Sequence, residues 1–345
     1  MNAGYNNSKN TNLINAKKAK DDCFFTLLKD VEKEVSQYDL KGKVIYCNCD
    51  DYRYSNFVKY FKDNFEKIKI KKLIATNYDM GEGAFVYEYD GVNELVQKLA
   101  GNGDFRSPEC IAYLQEADIV CTNPPFSLFR EYVKQLMDYG KKFLIIGNNN
   151  AVTYKEIFPY IKSGELRLGH SSNKTFEFKV PDGYTFNREE NGVKYGKVPA
   201  ISWFTNLETH KADNTMELIE TYKNQSKFDN YNAINISKVV NIPYDYDDPI
   251  GVPITISDKV ADDGLIHCTH NDEQIKFRIL GITYSTDKNP EIEALRTDPK
   301  HRHVGIINGQ EKYPRIIIQK VKATHRKASS TKNTLLTEKL FTPKL

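Results

Sequence analysis

Through the first half of the chain, short apolar runs alternate with amphipathic stretches. From Asp22 to Tyr38, Phe25, Leu28, Val31 and Val35 recur at the spacing of one helix face. Lys43-Val44-Ile45-Tyr46-Cys47 is a brief apolar run bounded by Gly42 and by Asp50-Asp51, the pattern of a buried strand. Helical periodicity returns over Phe57–Phe65, and Leu73–Thr76 is a second short apolar run. A helix is expected around Glu94–Ala100, a strand over Ala117–Thr122, a helix over Leu128–Tyr139 and a strand over Lys142–Gly147.

Buried strands alternating with amphipathic helices predict an α/β fold, a parallel sheet with helices on both faces. Ligands of such sheets bind at the carboxyl ends of the strands. That rule puts Asn48–Asn56, Asn77–Asp79 and Asn123–Phe126 along one rim. Past about residue 175 the texture turns to β. Thr175–Val180 alternates like a half-buried strand and Pro199–Thr205 reads as another, with turns at Asp182-Gly183 and Asn191-Gly192. Further on, Val304–Ile307 and Arg315–Val321 are β-like, with Asn308-Gly309 a turn between them. The expected organisation is a flexible segment 1–20, a main domain 21–240 and a smaller β-containing region 241–345.

Composition narrows the class only modestly. With 345 residues, 40% hydrophobic and 28% charged, the chain is ordinary for a globular protein with a sizeable core. No apolar run approaches the roughly 18 residues of a membrane span, and the polar start lacks a secretory apolar stretch. A soluble, cytoplasmic protein is expected. The six cysteines are scattered; Cys47 and Cys49 have no second pair at zinc spacing, and His267 and His270 flank only Cys268. Reduced thiols and no metal site are the reading. Net charge is only +3, yet residues 311–345 carry nine Lys and Arg against two Glu. Such a segment suits a polyanion, although a solvated basic face has the same composition.

The most specific chemistry lies in Asn123-Pro124-Pro125-Phe126, directly after a strand. Two prolines fix φ near −65° and remove both N–H donors, so the turn is stiff and exposes carbonyls. A conjugated exocyclic amine is a poor nucleophile. Hydrogen bonds from its two protons to the Asn123 side-chain oxygen and the Pro124 carbonyl would pull it toward sp³ geometry and localise its lone pair. Phe126 would stack on the base. Such catalysis is mainly positioning and electrostatics, with the base drawn out of the duplex. A plain strand-ending turn is the rival reading.

The chain resembles the EcoRI-type adenine-specific DNA methyltransferases. The matching stretches are Val44–Asp51 followed by Ser55-Asn56-Phe57, then Cys121–Phe129, then Val198–Leu207, and the likeness spans roughly residues 20–320. It implies a Rossmann-like sheet that binds S-adenosylmethionine, double-stranded DNA as substrate and adenine N6 as acceptor. The region 241–345 becomes a DNA-recognition region with a basic tail. A cognate restriction-modification system and a GAATTC-like site are what the family suggests. The chain lacks the FxGxG cofactor loop of most such enzymes and has Asn48–Phe57 in its place, a trait the EcoRI-type enzymes share. The rival functions are a protein glutamine-N5 methyltransferase, which uses a similar loop, and an inactive DNA-binding protein on the same fold.

Site expectations follow. Cys49, Asp50 and Asp51 end the first strand, where a carboxylate could meet the amino group of the methionine moiety; a helix cap is the alternative. Ser55 and Asn56 could cap the next helix, contact the cofactor, or both. Asp79 is the choice for the ribose hydroxyls. Asp104 and Phe105 resemble the segment that holds the cofactor's adenine. Phe24 and Thr26 resemble a motif that closes over the cofactor. Trp203, the single tryptophan, is a candidate to stack on the extruded base, with core packing as its rival. Arg302, Lys312 and Arg315 are the DNA-contact candidates.

Overall fold

The computed structural model describes residues 25–180, 185–208, 215–283, 289–298 and 303–322. Eleven strands build the larger sheet: β1 (Phe25–Thr26), β2 (Val44–Cys47), β3 (Lys72–Thr76), β4 (Phe85–Tyr89), β5 (Glu94–Lys98), β6 (Ile119–Thr122), β7 (Lys142–Asn148), β8 (Arg167–Leu168), β9 (Lys174–Lys179), β10 (Arg188–Glu190) and β11 (Val193–Thr205). Their order is β1-β9-β11-β7-β6-β2-β3-β4-β5, with β8 and β10 also paired to β11. The centre, β7-β6-β2-β3, is parallel, and the strands outside it add antiparallel pairings.

Among the described residues, six helices accompany this sheet: α1 (Leu28–Val35), α2 (Asn56–Asp63), α3 (Phe65–Ile68), α4 (Pro108–Glu116), α5 (Phe129–Asp138) and α6 (Phe158–Ser163). Side chains alternate across a strand, and the core divides accordingly. Tyr46, Ile74, Val120 and Ile145 pack with Leu114 of α4 and Tyr132, Val133 and Leu136 of α5. Ile45, Leu73, Ile119 and Ile146 pack with Val31 and Val35 of α1 and Phe57 and Phe61 of α2. Both faces are covered, which is why β2 and β6 are buried at every position and apolar up to Thr122 at the end of β6.

Several expectations need correction. Glu94–Ala100 is not helical: Glu94–Lys98 is the edge strand β5, paired only to β4. Asp90 Oδ1 accepts from the Val92 and Asn93 N–H groups at 2.9 and 2.7 Å, and Gly91 takes φ 98°, making a tight turn that folds β5 back. That pairing outweighs the weak local helix preference of so short a stretch. Helix α1 begins only at Leu28, because Phe25–Thr26 pairs with β9. Helix α4 was not anticipated, although Ser107 caps it and Pro108 opens it.

The second sheet comprises β12 (Met216–Glu217), β13 (Ile234–Asn235), β14 (Ile250–Pro253), β15 (Leu265–His270), β16 (Glu273–Ile282) and, after helix α7 (Pro290–Leu295) and the ribbon β17 (Ile306–Ile307) with β18 (Gln310–Glu311), the last strand β19 (Arg315–Lys320). The order is β12-β15-β16-β19-β14-β13. Asn308-Gly309, with φ of 49° and 71°, turns β17 into β18, so the expected turn exists but does not lead straight into β19. The change of sheet falls between Thr205 and Met216, well ahead of residue 240. Nor are the sheets separate bodies. Leu166 and Leu168 share one apolar cluster with Ile254, Ile256 and Ile266. Arg167 Nε meets Asp262 at 2.7 Å, and Lys162 Nζ reaches Glu291 at 2.6 Å.

Candidate active site

Because β3, β2, β6 and β7 are parallel, the segments leaving their carboxyl ends share one edge. These are residues 77–84, 48–55, 123–128 and 149–153. The expected rim is therefore present.

At its centre β6 ends on Thr122, and Asn123 follows, half-buried with its side-chain oxygen shielded from solvent. Pro125 has φ −62° and ψ 123°, and its carbonyl closes a turn by accepting from Leu128 N–H at 3.0 Å. The Pro125 carbonyl, and not that of Pro124, is used by the turn. Phe126 is half-buried against the α1/α2 face of the core. The turn runs directly into α5.

Asp50, just past β2, ties the rim together. It is 8% exposed. Its N–H donates to the Thr76 carbonyl at 3.0 Å. Its carboxylate accepts from Ser55 Oγ at 2.6 Å and, closely, from Thr122 Oγ1. One residue, by its backbone N–H and its carboxylate, thus joins the ends of β2, β3 and β6. Burial pushes its carboxyl up to about 6, while the two hydroxyls pull the other way. Ser55 also caps α2 by accepting from the Phe57 and Val58 N–H groups at 3.0 and 3.4 Å, so cap and rim are one device.

Around this knot, Asn56 Nδ2 donates to the Thr26 carbonyl at 2.7 Å, which binds β1 to the head of α2. Thr26 Oγ1 is buried with no hydrogen-bond partner among the described residues. Cys49 is half-buried beside Asn48. Asn48 in turn accepts from Tyr132 of α5, whose ring meets Phe105 edge-on at 5.0 Å. Asp51 is engaged otherwise: Arg53 holds its carboxylate at 2.6 and 2.9 Å and continues to Glu82.

The β3 side forms a second cluster. Asp79 Oδ1 accepts from the Gly81 and Gly83 N–H groups at 2.7 and 2.8 Å, which hold its carboxyl below the usual range. Asp79 N–H donates to the Asn102 carbonyl at 2.8 Å. Gly103 has φ 73°, and a Cβ there would lie 1.9 Å from the Asn77 carbonyl oxygen, so the two loops touch where only glycine fits. The Asp104 carboxylate is clasped by Arg106, which lowers it and reaches on to Glu131 at 2.8 Å. Phe105 is buried between Tyr132 and the Arg106 guanidinium.

Thr26, Cys49, Asp50, Ser55 and Asn56 thus gather beside Asn123–Phe126, with Asp79, Asp104 and Phe105 flanking. Phe24 and Arg302 lie outside the described residues. Trp203 is corrected: it is fully buried opposite Ile146, with Phe57 at 5.8 Å, and offers no face to a base. Lys312 Nζ is 3.4 Å from Gln310 Oε1, and Arg315 is half-buried, with burial lowering its pKa.

Sequence reasoning missed Thr122, Tyr132 and Glu34, and placed Asn48 on the rim without assigning it a role. Fully buried Glu34 accepts from Tyr38 Oη at 2.9 Å and from the His170 and Ser171 N–H groups at 2.7 Å each, fixing the loop after β8. The available signal was polar residues on apolar faces: Glu34 between Val31 and Val35, Tyr132 beside Phe129, Val133 and Leu136. Among the described residues no cluster of His, Cys, Asp or Glu could hold a metal, and no helix is long and apolar enough to cross a membrane.

A family model for "adenine-specific methyltransferase EcoRI" matches residues 12–90 and 80–321. The chain is 41% identical over 302 residues to the Type II methyltransferase M.EcoRI of Escherichia coli, covering 79% of this chain and 90% of that protein. It is 37% identical over 323 residues to M.MgeORF184P of Mycoplasma genitalium, 88% of this chain and 97% of that one. M.MpnI of Mycoplasma pneumoniae is 35% identical over 322 residues, with 88% and 96% covered. No solved structure is significantly similar.

Proposed function

The chain belongs to the EcoRI family of adenine-specific methyltransferases, and we propose that it methylates adenine N6 at a specific site in double-stranded DNA through the Asn123–Phe126 loop. Asn123 Oδ1 and the Pro124 carbonyl accept the two amino protons and hold the lone pair toward the donor. Phe126 stacks on the extruded base, a contact worth about 1–3 kcal/mol. As the N–C bond forms, the bond between methyl and sulfonium sulfur would break with its electron pair left on sulfur, and the amine's surplus proton, now acidic, would leave to water, so no strong base is needed.

S-adenosylmethionine, when bound, supplies an electrophilic methyl on a sulfonium. The rim suits it: Asp50 is a buried acid at the end of β2, and the Thr26 hydroxyl, without a hydrogen-bond partner among the described residues, lies beside the head of α2. Asp50 takes the cofactor's ammonium end together with Cys49, Ser55 and Asn56, and Asp79 its ribose hydroxyls. Phe105 and Asp104 border its adenine. Asp51, already paired with Arg53, is the weaker of the two neighbouring acids for this task.

The observation that carries the reading is the Thr122–Asp50 hydrogen bond. It joins the residue before Asn123 to the buried acid of the cofactor rim across 72 positions of sequence. The second sheet, with Lys312 and Arg315 and the basic tail, serves as the DNA-recognition region. The enzyme acts in the cytoplasm, beside a cognate restriction endonuclease.

Expression in a host without DNA methylation, followed by modified-base sequencing, tests this. N6-methyladenine confined to one motif, with GAATTC the first to inspect, is the expected result. Unmodified adenine throughout would overturn it.

A further inference from the structure

One exposed aromatic beside the rim is fixed in place. Tyr313, 54% exposed, lies in Lys312-Tyr313-Pro314-Arg315, which leads into β19 of the second sheet. Its hydroxyl donates to Asn150 Oδ1 at 2.6 Å, between residues 163 positions apart. Asn150 belongs to the turn directly after β7, and β7 lies beside β6 with Ile145 level with Thr122. The ring is therefore anchored by its polar end at the edge from which Asn123–Phe126 departs.

The flanking charges point the same way. Arg315 bonds only neutral acceptors among the described residues: Asn235 Oδ1 at 3.2 Å and the carbonyls of Tyr313 and Pro314 at 3.0 and 3.4 Å. Lys312 likewise meets only the Gln310 amide. A second basic–aromatic unit borders the same edge: Arg130, four residues past Phe126, lies over the Tyr154 ring at 4.1 Å. Lys312 and Arg315, which have no carboxylate partner among the described residues, stand beside a pre-positioned ring, whereas Arg130 has Glu156 at 4.0 Å; such cations suit a ligand that brings both phosphates and flat apolar faces.

We propose that Tyr313 is the stacking platform for the base left without a stacking neighbour when the target adenine leaves the duplex, with Lys312 and Arg315 holding the adjoining phosphates. The tether to Asn150 couples this platform, carried by the second sheet, to the edge where the methyl is transferred. Holding the vacated step open favours the extruded state, so Tyr313 acts on extrusion and not on the transfer itself. The inference rests on the DNA-methylation reading above.

The test compares Tyr313→Ala and Tyr313→Phe with the unmodified full chain, on a duplex bearing the target site and on one whose target adenine is mispaired. Tyr313→Ala is expected to lose roughly 10- to 100-fold in kcat/KM on the paired duplex, the range of one lost base–aromatic stack. It should recover most of that on the mispaired duplex and keep its S-adenosylmethionine Kd. Tyr313→Phe keeps the ring and should stay within several-fold of the unmodified chain. Lys312→Ala should lower the slope of log affinity against log salt by about 0.9. Equal losses on both duplexes, a Tyr313→Phe defect as deep as that of Tyr313→Ala, or a Tyr313→Ala rate within about twofold of normal would each overturn the proposal. If the unmodified chain methylates no DNA, the parent reading fails instead.

Discussion

Replacing Thr122 with valine keeps the shape of the side chain and deletes one hydrogen bond to a buried carboxylate. Asp50 is buried and its carboxyl stands at about 6 against an ordinary 3.8. That difference corresponds to about 3 kcal/mol of unfavourable ionisation in the folded state. A folded pKa above the unfolded one means that the fold takes up a proton as pH falls. The group's contribution to stability therefore declines as pH rises from about 4 to about 6, then stays level. The Thr122 bond lowers the pKa, so removing it moves the carboxyl higher still and stretches the decline to higher pH. Bonds to charged groups contribute about 1.5–3 kcal/mol, and Ser55 still holds the other oxygen. Urea unfolding of both proteins at several pH values should give a deficit of that size near pH 8, shrinking as pH falls to about 6, below which Asp50 is protonated in both. The acidic limb of kcat/KM should move upward in parallel. A deficit independent of pH, or one below about 0.5 kcal/mol near pH 8, would refute this description of Asp50.

Two further substitutions separate core from site. Trp203→Phe should reduce stability by about 1–3 kcal/mol in chemical denaturation, through the space it leaves against Phe57, while methylation per folded molecule stays within about twofold. Gly103→Ala should weaken S-adenosylmethionine binding at least several-fold by calorimetry, because the new Cβ displaces the Asn77 carbonyl and with it the loop bearing Asp79.

The central strands were legible because burial on both faces leaves apolar runs through β2, β3, β6 and β7, with polar residues such as Lys72, Thr122 and Lys142 at their ends. Their parallel order then placed Asp50 and Asn123 on one rim without coordinates. The edge strand β5 was not legible: all five of its residues are exposed, and its pairing to β4 is invisible locally. The second sheet was read only in part, since Gly251 and Pro253 interrupt β14 and polar residues alternate through β15. Trp203 shows the limit for side chains. A lone tryptophan in a strand gives no hint of which face it takes, and the register opposite Ile146 turns it to the α1/α2 side. The Thr122–Asp50 bond spans 72 positions, so no local pattern could announce it.

Nucleoside mass spectrometry on DNA treated with the unmodified chain and with Asn123→Ala most directly probes the amine-receiving loop. N6-methyladenine should accumulate with the former and fall by at least about 100-fold with the latter, with S-adenosylmethionine affinity by calorimetry changed less than about threefold. Persistent N6-methyladenine from Asn123→Ala, or N4-methylcytosine as the product of the unmodified chain, would contradict the role given to Asn123–Phe126.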